Sequence, residues 1–544
     1  MTITETRPDA APLPVPEATP AGSERLTATA DHKKLGLLFL GGAVLFLLVA
    51  GAVGMVLRGE LSDEGVKIVG GNYNRLFTLH STAAALLFLP PAWVGLATYV
   101  VPLQIGSGRL ALPRLHAFAA WLYLFGGGLL VAAYILGPPV GLGIANSVPM
   151  VAPRGGANHA DALAIVAMGL VAMAMIAAAV DLAVTVLKLR TPGLTLRRLP
   201  MFSWAALVSS IVTMLSTPVF LGGLILLYID QRFGGTFFAP ANVAGQAVWR
   251  HSLWLYGRPE IYLLALPGLG AACDIVATHC RKPLLSLSAA RTALALFGVL
   301  TFGSWAAGSK VADALVLPTY TPLTTLVLVP LALLTLVWLG TLVKGSPRLH
   351  PSLLFVVGAV ALFAAGTLQA LIAAAVGVHG RAWTTGHLHT VAFGAPTLLL
   401  AGAVYHWAPK LFGRELSGGL GRLAALGLAG GFFLLGLGSY LLGYDGDPAH
   451  VKDYTFTSSA TTYSALAAVG GVLVLLGALA MLSDVVRAAA GRGRASGPAD
   501  PYEGLTLEWA TASPPPASGF DAVPEVRSAN PLLDLRSAAE ASRG

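Results

Sequence analysis

Apolar residues run along this chain in blocks of about twenty, separated by short polar connections. Twelve such blocks begin near Leu35, Leu76, Leu115, Asp161, Met201, Leu253, Leu285, Val316, Ser352, His387, Arg422 and Thr461. A helix needs about 20 residues to cross a bilayer core, whereas a barrel strand needs about 10. Backbone groups in lipid must also be satisfied within the spanning element. The pattern therefore predicts an all-α polytopic membrane protein, and the short connections make neighbouring helices antiparallel. Residues 1–31, rich in Pro and Ala, and residues 487–544, Pro-rich and polar, lack the pattern. Both are expected to be disordered tails flanking one membrane domain, residues 32–486. The first thirty residues contain no apolar core of a signal peptide.

Composition sharpens this reading. The chain is 55% hydrophobic and 11% charged, where a soluble protein carries about a quarter charged residues. The net charge of +8 could suggest an anionic partner, but the basic residues fall on alternate connections. Lys33/Lys34, Arg109/Arg114, Lys188 to Arg198, Arg281/Lys282, Lys344/Arg348, Lys410/Arg414 and Arg487/Arg492/Arg494 share one side. Positive charge is retained on the cytoplasmic side of a membrane. The expected location is the plasma membrane, with both termini cytoplasmic and no nucleic-acid partner. Cys273 and Cys280, seven apart on one predicted helix, match neither a redox nor a zinc spacing and read as packing residues.

On this topology His80, Arg258, Trp305 and the pair His387/His389 all fall at one depth, near the outer third of the bilayer. Ionisable residues at membrane depth are functional hypotheses by default. His387 and His389 are two residues apart, about 200° around a helix, so their rings leave opposite faces. They cannot share one metal, but each can hold its own. A neutral imidazole is a common axial ligand of haem iron. His32, His116, His279, His350, His406 and His450 fall in loops or at span ends, where solvated or interfacial roles are expected. His159 and His251 read the same way. His379 is a candidate ligand for a divalent ion.

At these residues the chain resembles subunit I of the haem-copper oxidases. "NYNRLFTLHSTAA", "VPLQIGSGRLALPRL", "RFGGTFFAPA", "LWLYGRPEIYLLALPG" and "AVYHWAPKLFGR" follow that family's order and spacing, and the likeness extends from about His32 to Val485. It implies a twelve-transmembrane-helix bundle holding two haems. His80 and His389 match the axial ligands of a low-spin haem, His387 matches the ligand of a second haem, and Arg58 matches an arginine near the first. The resemblance does not distinguish haem a from haem b.

The family also holds a copper beside the second haem through three histidines. Here the corresponding stretches read Gly257-Arg258-Pro259-Glu260-Ile261-Tyr262 and Trp305-Ala306-Ala307-Gly308. Arginine stays protonated and has no lone pair to offer a metal; alanine and glycine offer nothing. Arg109 stands where the family has an acidic proton-entry residue, and the eighth span has no lysine. The expectation is a dihaem membrane protein without copper, made for electron transfer or gas-ligand binding. Arg258, Glu260 and Tyr262 are the candidates for any chemistry beside the second haem. Two alternatives stay open: a respiratory terminal oxidase subunit with an altered oxygen site, and a structural or assembly subunit. Other oxidase-type subunits, or a cytochrome or copper-containing electron donor, are the expected partners.

Overall fold

The computed structural model describes residues 29–62, 66–137, 159–238, 242–303, 326–378, 381–448, 459–495 and 499–542. Twelve large helices account for most of these: α1 His32–Glu60, α2 Gly70–Gln104, α3 Pro113–Leu136, α4 His159–Lys188, α5 Met201–Phe233, α6 Val243–His279, α7 Leu287–Gly303, α8 Leu328–Lys344, α9 Pro351–Val376, α10 Ala382–Phe412, α11 Gly418–Asp445 and α12 Ala460–Ala489. A short helix, α13 (Pro531–Ala541), follows near the C-terminus. Among the described residues, nine helices are long and apolar enough to cross a membrane. Shorter apolar stretches occupy Leu263–His279, Leu287–Phe302 and Leu328–Lys344. The predicted start near Val316 lies outside the described residues.

Local chemistry sets the ends. Asp31 caps α1 by accepting from the Lys33 amide, and Ser417 caps α11 by accepting from Leu420; such caps satisfy amides that have no intrahelical partner. Prolines stand at the first turn of α3 and α9, where a missing N–H costs nothing. α2 and α10 are not uniform. Each contains a π-helical stretch, Ala83–Phe88 in α2 and Leu388–Gly394 in α10. Each stretch lies beside a histidine predicted to be functional, and such inserted turns are frequent at functional sites.

α11 and α12 pack along a glycine seam. A methyl on Gly470 would lie 2.7 Å from the Gly431 carbonyl and closer still to the Leu435 amide nitrogen. Small residues of this kind let membrane helices approach backbone to backbone. α1 and α2 use the same device where Gly36 and Gly95 cross.

The C-terminal stretch corrects the sequence reading. Residues 499–542, expected to be a disordered tail, fold across the end of the bundle that carries the basic loops. Trp509, Leu507 and Phe520 are buried there. Lys410 Nζ donates to the carbonyls of Thr511, Ala499 and Ala512 at 2.6, 2.9 and 3.3 Å. Lys33 Nζ donates to Ala517 O, and Arg198 Nη1 to Val526 O. The prolines that suggested disorder instead shape a strap whose backbone polar groups are met by side chains of the bundle. α12 itself runs to Ala489, a few residues beyond the predicted boundary.

Candidate functional site

His80 of α2 and His389 of α10 face each other. Their ring centroids are 6.3 Å apart and their planes are 18° from parallel. Each ring is fixed by a backbone carbonyl, which can only accept. His80 Nδ1 donates to Ala50 O on α1, and His389 Nδ1 donates to Thr385 O one turn back on α10, both at 2.8 Å. With the proton held on Nδ1, the Nε2 lone pair is left for another partner; metal-ligating histidines are oriented in this way.

The spacing can be tested against an iron atom. A metal–imidazole bond of roughly 2.0 Å, plus roughly 1.2 Å from nitrogen to ring centre, doubled, gives about 6.4 Å. The observed 6.3 Å fits an ion held between the rings. Around the pair lies a cavity of ≈290 Å³, walled by Phe77, Phe88, Phe393, Phe432 and aliphatic side chains of α1, α2 and α10 to α12. Arg58 lines the same cavity. The donor set, the paired carbonyl anchors and the aromatic walls fit a porphyrin with two axial histidines.

His387 does not join this pair. It stacks on Trp383, one turn back on α10, with centroids 5.1 Å apart and planes 12° from parallel. Two adjacent candidates on one helix are thus directed to different surroundings. α6 is continuous through Arg258, Glu260 and Tyr262, but the side chains of these three lie outside the described residues. His379 and Trp305 to Gly308 also lie outside them. Tyr256, just before that stretch, stacks on Phe220 with centroids 4.3 Å apart. Among the described residues, no three His, Cys, Asp or Glu side chains are grouped to hold a metal ion.

The opposite end of the bundle holds polar groups that sequence reasoning misplaced. His279, His350 and His406, expected to be solvated or interfacial, pack together under the strap. His406 Nδ1 lies 3.3 Å from His279 Nε2, and the His279 ring stacks on His350 at 4.5 Å. Tyr502 covers all three. Burial pushes His350 down to about 4. His116 is fully buried, with Nδ1 2.9 Å from Asp181 Oδ2 and Nε2 2.7 Å from Thr98 Oγ1. His32 donates from Nδ1 to Thr98 O. His159 is exposed, as expected, while His450 and the His251 side chain lie outside the described residues.

Beside the histidines, Gln104 Nε2 donates to both Asp274 Oδ2 and Glu508 Oε1 at 3.0 Å. Trp407 Nε1 also donates to Glu508, and Asp274 receives the amides of Met201 and Phe202. Burial pushes the Glu508 carboxyl above its usual range. A signal for this cluster was present: three histidines at the basic end of separate spans, the same equal-depth argument that found His80 and His389.

Comparison with known proteins follows the same line. A family model described as cytochrome C and quinol oxidase polypeptide I matches residues 34–473. A putative cytochrome c oxidase subunit 1-beta of Streptomyces avermitilis is 34% identical over 521 residues, covering 94% of this chain and 92% of that protein. A cytochrome c oxidase subunit 1 of Corynebacterium glutamicum is 31% identical, covering 94% and 88%. A solved heme-copper terminal oxidase dimer superposes with a TM-score of 0.73 at 17% identity, over 86% of each chain. That structure shares the fold.

Proposed function

Because this chain belongs to the cytochrome c and quinol oxidase polypeptide I family, we propose that it is a dihaem membrane subunit that moves electrons or binds a gas ligand without a copper centre. The observation that supports this most is the His80–His389 pair, whose parallel rings and 6.3 Å spacing suit a six-coordinate low-spin haem. Ala50 O and Thr385 O hold each ring in the tautomer that presents Nε2. Arg58, at the wall of the same cavity, offers a permanent positive charge and several donors to a polar edge of the macrocycle. Phe77, Phe88, Phe393 and Phe432 give the pair an apolar surrounding. Once bound, the group supplies reversible one-electron chemistry at its iron.

His387 is the proposed ligand of the second haem. Its stacking on Trp383 limits rotation of the ring. In the sequence, Arg258, Ala307 and Gly308 take the positions of the family's copper-binding histidines. A guanidinium has hydrogen-bond donors for an anion or a bound gas and no lone pair with which to ligate a metal. The chain is placed in the plasma membrane with both termini cytoplasmic, on the strength of its basic loops. Its partners are other oxidase-type subunits and a cytochrome or copper-containing donor.

The test is the iron-to-copper ratio of the purified protein, read with its reduced-minus-oxidised spectrum. Two irons, no copper and two spectrally distinct haems are expected, with His389→Ala losing only the low-spin component. One copper per two irons refutes the proposal. The relatives named as cytochrome c oxidase subunits, at 31–34% identity, favour a second reading, a terminal oxidase with an altered oxygen site. Oxygen uptake driven by a reduced donor, abolished by His387→Ala, would establish it instead.

A further inference from the structure

α1 brings Ala50, Gly54 and Arg58 to one face, because residues four apart stack along a helix. His80 lies against this face. Its Nδ1 is tied to Ala50 O, and one turn further on the ring passes over Gly54. A methyl built on Gly54 would lie 2.7 Å from His80 Cε1, 2.9 Å from Nδ1 and 3.7 Å from Nε2. Those are its three nearest atoms, so the approach is to the ring itself and not to the backbone of α2.

Carbon atoms meet comfortably at about 3.5–4.0 Å, so a side chain at position 54 would have to displace the imidazole. The ring has little freedom to yield. It is fixed through its own Cβ to α2 and through Nδ1 to α1. A shift away from α1 moves it toward His389, tilts its plane or breaks the bond to Ala50.

Gly41 provides the contrast. It lies on the same helix but not among the residues that line the cavity, and a methyl there would meet nothing within 4 Å. Both glycines lower helix propensity by about 1 kcal/mol relative to alanine. Only one of them is explained by the ring.

We propose that Gly54 is a positioning residue for His80: the missing side chain sets the height of the imidazole above α1 and keeps its plane near that of His389. This rests on the reading of His80 and His389 as axial ligands of one haem. Gly54 touches neither iron nor substrate in this scheme; it acts only through His80. A glycine selected merely for helix–helix approach would be silent in any signal that reports ligand orientation.

The experiment compares wild type, Gly54→Ala and Gly41→Ala as full-length protein in detergent, by electron paramagnetic resonance of the oxidised form and by the reduced α-band. Near-parallel axial imidazoles give a rhombic low-spin signal, and tilting one ring spreads its g-values. Gly54→Ala is expected to shift the low-spin signal and its α-band, while Gly41→Ala superposes on wild type. Superposition of Gly54→Ala on wild type overturns the inference while leaving the axial assignment standing. A wild type with no low-spin signal dependent on His389 removes both.

If Gly54→Ala accumulates poorly, the cycle with His80→Ala decides the matter. With the ring removed, the added methyl has nothing to strike. The double variant is then expected to accumulate as well as His80→Ala alone. A further loss of at least threefold in the double variant would refute the role assigned to Gly54.

Discussion

Lys410 gives the sharpest test of the strap. Its side chain is fully buried in α10 and its three N–H bonds all go to strap carbonyls, at 2.6 Å to Thr511, 2.9 Å to Ala499 and 3.3 Å to Ala512. The same ammonium lies 5.2 Å from the centre of the Trp509 ring. Lys410→Met keeps the aliphatic stem and removes all of these contacts. The bond to Thr511 is buried, whereas those to Ala499 and Ala512 are partly open to water, which can replace the lost donor. One carbonyl stranded at about 1–3 kcal/mol, with two weakened at about 0.5–1 kcal/mol each, gives about 2–5 kcal/mol. The cation–π contact adds about 1 kcal/mol. Strap docking should therefore weaken by at least thirtyfold, on the order of 2 kcal/mol or more. Hydrogen–deuterium exchange on residues 499–530 measures this directly, with α11 and α12 as internal references. Faster exchange confined to the strap, with an unchanged haem spectrum, is the expected result. Unaltered protection of residues 505–520 would refute the assignment of Lys410 as the anchor.

The strap should also respond to pH in two directions. His350, held down to about 4 by burial, binds fewer protons when folded. Its contribution is complete above about 6.5 and is lost as pH falls toward 4. Glu508 is raised by burial, so its contribution is present below the ordinary carboxylate value and is lost as pH rises through the folded value. Glu508→Gln keeps an acceptor for Gln104 and Trp407, and should flatten the alkaline loss of strap protection. A variant that loses protection with pH as steeply as wild type would disprove this. Asp181→Ala leaves the buried His116 Nδ1 without its partner and should cost about 1–3 kcal/mol, read as a fall in the midpoint of thermal unfolding; a change below 1 °C would contradict it. Gly470→Ala overpacks the α11–α12 seam and should cost about 1–3 kcal/mol. Gly430→Ala, where a methyl meets nothing within 4 Å, should leave the midpoint unchanged.

Much of the architecture can be read from hydrophobic periodicity, because lipid forces backbone groups to pair within each span. The predicted span starts at Leu115, Met201, Ser352 and Thr461 fall within a few residues of the helices observed. Topology fixes depth, and depth brought His80 level with His387 and His389; that His389 is the one to face it was implied only by the family resemblance. Other features were hidden. The π-helical stretches, one just after His80 and one containing His389, depend on the packing of neighbouring helices, which no single-span pattern encodes. The buried settings of His116, His279 and His406 depend on Asp181, on each other and on Tyr502, partners tens to hundreds of residues away. The strap was misread because its prolines resemble those of a disordered tail. Leu505, Leu507 and Trp509 were the clue, a short apolar run with an aromatic anchor inside a polar segment.

The two anchored imidazoles have unequal supports. His389 leans on Thr385 of its own helix, so α10 arrives with that ring already aimed. His80 leans on α1, so its aim exists only after the first two helices have come together. A chain emerging from the ribosome makes that amino-terminal hairpin long before its tenth helix. The early partner must therefore wait, correctly oriented, for a late one that needs no preparation. Whatever occupies the space between them stitches the beginning of the chain to its last third.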